Sequence, residues 1–117
     1  MNLGELSQMM GWEHLTPELD SEPDVCVLQG YASDLLSDVL SNAPECGVWV
    51  TTQVHMNVVA VASHTGLVAV VFASRRKPVD AVRRKAVEAK VRLYSSPLSA
   101  FESIGRLYAA GVRGGPA

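Results

Sequence analysis

The chain has 117 residues, and 48% of them are hydrophobic, so it is long and apolar enough to form one globular domain with a buried core. Its net charge of −2 argues against a nucleic-acid-binding protein. Its most apolar stretch, residues 58–73, is interrupted by polar residues and falls short of a membrane span. The N-terminus carries no Lys or Arg before an apolar stretch, unlike a secretory signal. We therefore expect a cytoplasmic protein without a nucleic-acid or membrane partner.

Charge is distributed unevenly along the chain. Residues 1–74 contain nine Asp or Glu and no Lys or Arg, whereas residues 75–117 contain ten basic and three acidic residues. Such asymmetry steers an anionic ligand or a partner toward the second half, or lets the two halves attract each other within a dimer.

Hydrophobic periodicity and capping residues predict the elements of the first half in this order. A short amphipathic helix at 2–10 stops at Gly11, and an acidic connector leads to a strand at 25–29. Ser33 is the predicted cap of a helix that ends near Asn42 and buries Leu35, Leu36, Val39 and Leu40. A strand at 48–50 and a helix at about 54–63 follow.

In the second half, residues 67–73 form a continuous apolar run, which is typical of a strand that is covered on both faces. A helix is predicted at 78–90, a strand at 91–94 and a final helix from Ser96 to Gly111, with Leu98, Phe101, Gly105 and Tyr108 on one face. The alternation of strands and helices predicts a single three-layer α/β domain, in which a mostly parallel sheet of about four strands has helices on both faces. This domain is expected to span residues 1–111, with a flexible tail at 112–117.

Polar residues follow each predicted strand. The carboxyl ends of parallel strands meet at one edge of the sheet, where ligands bind, and a helix N-terminus there offers free N–H groups to an anion. Helix capping alone explains part of this pattern, but Thr51–Asn57 carries two hydroxyls, two amides and an imidazole within seven residues. The candidate ligand-binding residues are Gly30, Tyr31, Ser33, Asp34, Thr51, Thr52, Gln53, His55, Asn57, Arg75 and Lys77.

Two sequence blocks carry a resemblance to a known family. The residues 30–39, GYASDLLSDV, and 49–62, WVTTQVHMNVVAVA, resemble the stand-alone DRTGG-domain proteins of anaerobic bacteria and archaea. The similarity extends from the first helix to Gly111. The namesake Asp-Arg-Thr-Gly-Gly motif is mostly absent here, because the corresponding stretch is Asp24–Gly30, which keeps only the final glycine and the aspartate. This departure leaves the role of that loop open.

The resemblance implies an α/β domain related to the N-terminal domain of HPr kinase/phosphorylase, which is found also beside CBS domains in regulatory pyrophosphatases. In those proteins the domain is a non-catalytic regulatory or dimerising module, and the resemblance implies the same role for this chain. Some relatives are labelled as kinases of HPr, but a kinase P-loop needs Gly-x-x-x-x-Gly-Lys-Ser/Thr, and the sequence has none. We therefore expect no enzymatic activity.

Metal and cofactor sites are not predicted. His55 and His64 are nine residues apart and would lie on opposite sides of one continuous helix, so they could not share an ion.

The sequence thus predicts a homodimeric regulatory module that senses a nucleotide or another anionic ligand at the carboxyl ends of its strands. Two alternatives stay open. One is a dedicated binding protein for an adenine nucleotide or a phosphorylated metabolite. The other is an interaction subunit of a redox or hydrogenase-type enzyme.

Overall fold

The computed structural model describes residues 1–115, and within them five helices and five strands form one sheet-centred domain. In chain order these are α1 (Leu3–Met10), β1 (Glu13–His14), β2 (Gln29–Ala32), α2 (Leu36–Asn42), β3 (Gly47–Thr51), α3 (Asn57–Thr65), β4 (Ala69–Phe72), α4 (Asp80–Ala89), β5 (Arg92–Ser95) and α5 (Ala100–Ala109). A 3₁₀ helix, Pro17–Ser21, follows β1. The strand order is β1-β5-β4-β3-β2; β1 is antiparallel to β5 and the other neighbours are parallel. The predicted α/β class is confirmed.

No helix within the described residues is long and apolar enough to cross a membrane.

Helices cover both faces of the sheet, and each face has its own buried core. On one face α2, α3 and α4 pack on the sheet, and Trp49 and Phe72 are fully buried there. On the other face α1 and α5 cover a core that includes Leu6, Val50 and Leu107. Successive residues of a strand point to opposite faces, which is why Trp49 and Val50 belong to different cores.

The order of the strands and helices determines which loops lie next to each other at the carboxyl ends of the strands. Strands β2 to β5 follow one another across the sheet in chain order, and their connecting helices all lie on one face. After β5 the chain passes to the other face and forms α5. The helices that follow the neighbouring strands β4 and β5 therefore lie on opposite faces. In an open α/β sheet such a point is where a ligand crevice forms; we call it the β4–β5 crevice.

Ion pairs within the chain join its acidic first half to its basic second half. Lys77 Nζ lies 2.8 Å from Glu13, and Lys90 Nζ lies 3.3 Å from Glu22. Arg83 donates to both carboxylate oxygens of Glu18, at 2.9 and 2.7 Å, and this hydrogen bond lowers the pKa of Glu18. The segment that holds β1 and the 3₁₀ helix is thereby held near α4. Part of the charge asymmetry is thus satisfied inside one molecule.

Several predicted features of the strands and helices are wrong. The final helix begins at Ala100 and not at Ser96, and the N-cap of α2 is Leu35 and not Ser33. The strand predicted at 25–29 is β2 at Gln29–Ala32, because Gly30 and Tyr31 pair in register with β3 rather than forming a loop. Helix α3 begins at Asn57, so His55 precedes it. In α2 only Val39 is buried, and Leu35 and Leu40, which were predicted to be buried, are 65% and 47% exposed.

The last two residues of the predicted tail, 116–117, lie outside the described residues. At its start, the Val112 side chain is buried against the α1 and α5 core. The Arg113 carbonyl accepts a hydrogen bond from the Gly30 amide at 2.9 Å. The chain therefore stays packed against β2 as far as Arg113.

A matched pair of substitutions tests the position of the core. We expect Val70→Ala, in the middle of β4 with no exposed surface, to lower the free energy of unfolding by about 2 kcal/mol, since it removes buried methyl groups and leaves a cavity. Val79→Ala, at a residue that is 69% exposed, should change it by less than about 0.5 kcal/mol. Urea unfolding followed by circular dichroism measures both, and equal losses would contradict this description of the core.

Candidate functional site

Asp34 collects three hydrogen bonds at the ends of β2 and β3. Its carboxylate accepts from the Thr51 hydroxyl, the Thr52 amide and the Thr52 hydroxyl, each at 2.8 Å. Burial raises the pKa of Asp34, but the hydrogen bonds from Thr52 and Thr51 and the positive charge of Arg76 outweigh it, so the pKa is lowered. Asp34 is therefore ionised at neutral pH.

This cluster is bonded internally. Three donors of the candidate ligand-binding residues Thr51 and Thr52 are engaged by the carboxylate of Asp34, a residue of the chain itself. Thr51 is only 2% exposed, and its hydroxyl also accepts from the Gln53 amide at 3.0 Å. Ser33 lies in the same region, where its carbonyl accepts from the indole of Trp49 at 2.8 Å. Asp34, Thr51, Thr52 and Ser33 thus join the ends of β2 and β3.

The segment between β3 and α3 leaves some polar groups exposed. His55 and Asn57 are exposed, and Gln53 is partly so. The Nδ1 atom of His55 accepts from the Asn57 amide at 3.1 Å, so a neutral His55 carries its proton on Nε2. That N–H remains available as a donor to a ligand.

Gly30 and Tyr31 lie away from these groups. Both belong to β2; Gly30 faces the apolar groove beside α5, whereas the Tyr31 side chain packs on the opposite face of the sheet. The Tyr31 hydroxyl donates to Asp38 at 2.8 Å, and this hydrogen bond raises the pKa of Tyr31. The structure thus separates these two residues from the polar groups that follow β3.

The loop after β4 has an unusual backbone. Ser74 and Arg75 have φ angles of 59° and 60°, in the left-handed region that non-glycine residues rarely adopt. The Ser74 amide donates to the Leu98 carbonyl at 2.7 Å, and the Arg75 amide donates to the Ser96 carbonyl at 2.8 Å. These bonds tie the loops after β4 and β5 together across the β4–β5 crevice. Backbone strain of this kind clusters at functional sites.

A cavity of 290 Å³ opens at the same crevice. Arg75 and Lys77 line it together with Ser95 and Pro97, while Gly11 and Glu13 from the β1 side complete it. Lys77 pairs with Glu13, whereas the exposed Arg75 side chain makes no ion pair or hydrogen bond with the rest of the described chain. A cavity with one engaged and one unengaged cation suits a negatively charged ligand.

Arg76 and Ser95 were not among the site residues predicted from the sequence. The Ser95 hydroxyl donates to the Arg76 carbonyl at 2.9 Å, and the charge of Arg76 helps to keep Asp34 ionised. The basic run 75–77 was visible in the sequence. Its relation to β5 depends on the strand order, which the sequence pattern did not specify.

A larger cleft of 540 Å³ lies at the β1 edge of the sheet, and no sequence prediction included it. Its walls hold Trp12 and Tyr94, with ring centroids 5.4 Å apart, and His14 stacks on Tyr94 at 4.7 Å. Two of its carboxylates have structural partners: Asp20 bonds to His14, and Asp24 accepts from the Gly4 amide. These hydrogen bonds give Asp20 and Asp24 a structural role, because they hold the N-terminal segment in place.

The Asp34 cluster predicts a pH-dependent stability. Because the pKa of Asp34 is lower in the folded chain than its ordinary value of 3.8, the ionised carboxylate stabilises the fold above that value. This contribution is lost as the pH falls through the lowered pKa. We expect Asp34→Asn to reduce the free energy of unfolding at pH 7 by about 1–2 kcal/mol, a range that allows for solvent screening.

Urea unfolding between pH 7 and pH 2 measures this effect. Glu45→Gln is the control, since Glu45 is exposed and makes no hydrogen bond or ion pair with the other described residues. It should leave the stability at pH 7 unchanged. Parallel pH profiles for Asp34→Asn and the wild type would contradict the role given to this carboxylate.

Comparison with known proteins identifies a similar solved structure. No family model matches the chain, and no curated protein sequence matches it. The crystal structure of the CBS and DRTGG domains of the regulatory region of a Clostridium perfringens pyrophosphatase, complexed with its activator diadenosine tetraphosphate, matches with a TM-score of 0.70 at 11% identity. The match covers 95% of this chain and 47% of that one.

The chain thus spans about half the length of the pyrophosphatase regulatory region that it matches. At 11% identity the likeness is one of fold. It confirms the resemblance predicted from the sequence: the chain has a DRTGG-like α/β fold.

Proposed function

We propose that this chain is a non-catalytic, cytoplasmic regulatory module that binds a nucleotide or another anionic ligand at the carboxyl ends of its strands. The observation that carries the proposal is the cavity at the β4–β5 crevice, where Arg75 and Lys77 line 290 Å³ of accessible space. The winding of the sheet favours a ligand at this point. The positive charges of Arg75 and Lys77 favour a negatively charged ligand.

The size of the cavity narrows the ligand class. Sites for whole small molecules occupy about 300–1,000 Å³. A cavity of 290 Å³ therefore suits inorganic phosphate or the phosphate end of a nucleotide, with the base outside. The exposed Nε2 of His55 and the amides of Gln53 and Asn57 lie along the same edge of the sheet and supply further donors.

The solved neighbour supports a nucleotide. That pyrophosphatase region was crystallised with diadenosine tetraphosphate, which is its activator. A polyphosphate chain is strongly anionic and matches the chemistry of Arg75 and Lys77. We therefore take adenine nucleotides and dinucleoside polyphosphates as the first ligands to test.

A regulatory role is favoured over catalysis by the chemistry of the polar residues. The sequence has no P-loop, and its densest polar cluster, around Asp34, is bonded internally. A dedicated adenine-nucleotide or phosphometabolite binding protein would use the same cavity. Such a binding protein would differ from a regulatory module because it would need no protein partner that responds to ligand binding.

We also propose that the module acts as a homodimer. A specific observation supports association: Phe101, on α5, is 84% exposed, although large apolar side chains are usually buried. The same exposed helix would serve an interaction subunit of a redox or hydrogenase-type enzyme. That alternative requires a heterologous partner, whereas the homodimer requires none.

Thermal melts test the ligand proposal. We expect a ligand at a hundredfold its dissociation constant to add about 2.7 kcal/mol of stability, or roughly 10 °C in Tm for a domain of this size. The panel is AMP, ADP, ATP, diadenosine polyphosphates, acetyl phosphate and phosphate. An unchanged Tm across this panel would overturn the proposal.

Charge-matched variants locate the site. Arg75→Gln with Lys77→Gln should remove the ligand-induced shift, since both side chains line the cavity. Arg84→Gln with Lys85→Gln removes the same charge from exposed positions of α4 and should keep the shift. If both double variants lose the shift equally, binding depends on overall charge and not on the crevice.

A further inference from the structure

One side of α5 is apolar and faces away from the rest of the chain. Phe101, Ile104 and Tyr108 are 84%, 39% and 58% exposed, whereas Leu107 on the other side is buried. Gly105 lies among the exposed three, and a Cβ added to it would meet no described atom within 4 Å. Spacings of three, four and seven residues place these positions on one helix face. We call Phe101, Ile104, Gly105 and Tyr108 the α5 stripe.

An apolar groove of 330 Å³ lies beside the C-terminal half of α5. Ile104, Leu107 and Tyr108 form its α5 side, and Ala32, Val50 and Val112 are among the residues that complete it. The helix therefore has a projecting aromatic ring in its first half and a hollow beside its second half.

This arrangement is complementary to itself. Phe101 and Tyr108 are seven residues apart, which is about 10 Å along a helix. When two α5 helices pack antiparallel about a two-fold axis near Ile104, each Phe101 comes to lie at Tyr108 of the partner subunit, beside the groove. A two-fold interface joins the same patch on both copies, so both grooves are filled at once.

We propose that two copies of this chain associate through the α5 stripe, antiparallel, with Phe101 of each copy seated in the groove of the other. The proposal rests on the homodimer of the proposed function and names its surface.

Two further observations favour a second copy as the occupant. The open space at Gly105 lets another helix approach the backbone closely near the centre of the stripe. Charges near the two ends of α5 are also complementary: Glu102, in the first turn, lies beside Phe101, whereas Arg113, in the segment that follows the helix, lines the groove and stacks on the Tyr108 ring at 3.8 Å. Antiparallel packing brings the acidic end of one helix to the basic end of the other.

Sedimentation measures the association directly. We expect the wild type to form particles of two chains at micromolar concentration. Phe101→Glu should raise the dimer dissociation constant about 30-fold or more, which is typical of a buried anchor residue. The control is Met56→Glu, since Met56 is 55% exposed and lies at the start of α3 on the other face of the sheet. It should leave the constant unchanged, and circular dichroism should show both variants folded.

Disulfide trapping tests the orientation. In a Cys26→Ser and Cys46→Ser background, Ile104→Cys lies near the two-fold axis and should link to its own copy on oxidation. Phe101→Cys should not, because its two copies are about 10 Å apart, beyond the reach of a disulfide. A link between two copies of Phe101→Cys would indicate either parallel helices, in which both variants link, or a two-fold axis near residue 101, and either result would overturn the proposal.

The outcomes separate the proposals. A wild type that stays monomeric overturns both the homodimer and this surface. A dimer that Phe101→Glu leaves intact overturns the surface alone. The ligand site is tested by the melts in either case, because Arg75 and Lys77 are not part of the stripe.

Discussion

The need to bury both faces of a parallel sheet governs this structure. Strands β3 and β4 consist of fully buried residues, so helices must cover both sides. Three crossovers that run in one direction cover only one face, and the chain must change faces after β5 to cover the other with α5. The β4–β5 crevice is a geometric result of that change. The position of the candidate site therefore follows from packing and does not require a special motif.

Several elements could be predicted because their signals are local. The apolar run 67–73 is bounded by Gly66 and Ser74 and contains β4. Of the residues predicted to share a face of the last helix, Phe101, Gly105 and Tyr108 do so, whereas Leu98 precedes α5. These residues are exposed and not buried. Helical periodicity shows which residues share a face, but it does not show whether that face packs on the sheet or faces solvent. Strand β1 has two residues and no periodic signal. It exists because β5 offers an unpaired edge.

The candidate site could be predicted only as a set of residue types near one edge. The bonds of Asp34 to Thr51 and Thr52 cross 17 and 18 positions, and no spacing rule shows that a carboxylate of the chain engages those donors. Gly30 was interpreted as a loop residue because glycine marks turns, but its pairing with Val48 places it in β2. In both places, at Asp34 and at Gly30, a contact between residues far apart in the sequence determined the structure, and the local sequence pattern did not. Arg75 and Lys77 come together for a local reason, since one short loop carries both.

The ion pair between Lys77 and Glu13 links the crevice to the N-terminal edge of the sheet. Glu13 belongs to β1, the two-residue strand that covers the free edge of β5. Because the ammonium group of Lys77 also lines the cavity, the anion that we propose to bind there would compete with Glu13 for it. Binding of that anion would then weaken the attachment of β1, and attachment of β1 would weaken binding of the anion. A rise in ionic strength weakens the same exposed ion pair, so added salt would loosen β1 at the contact that the proposed ligand would also weaken.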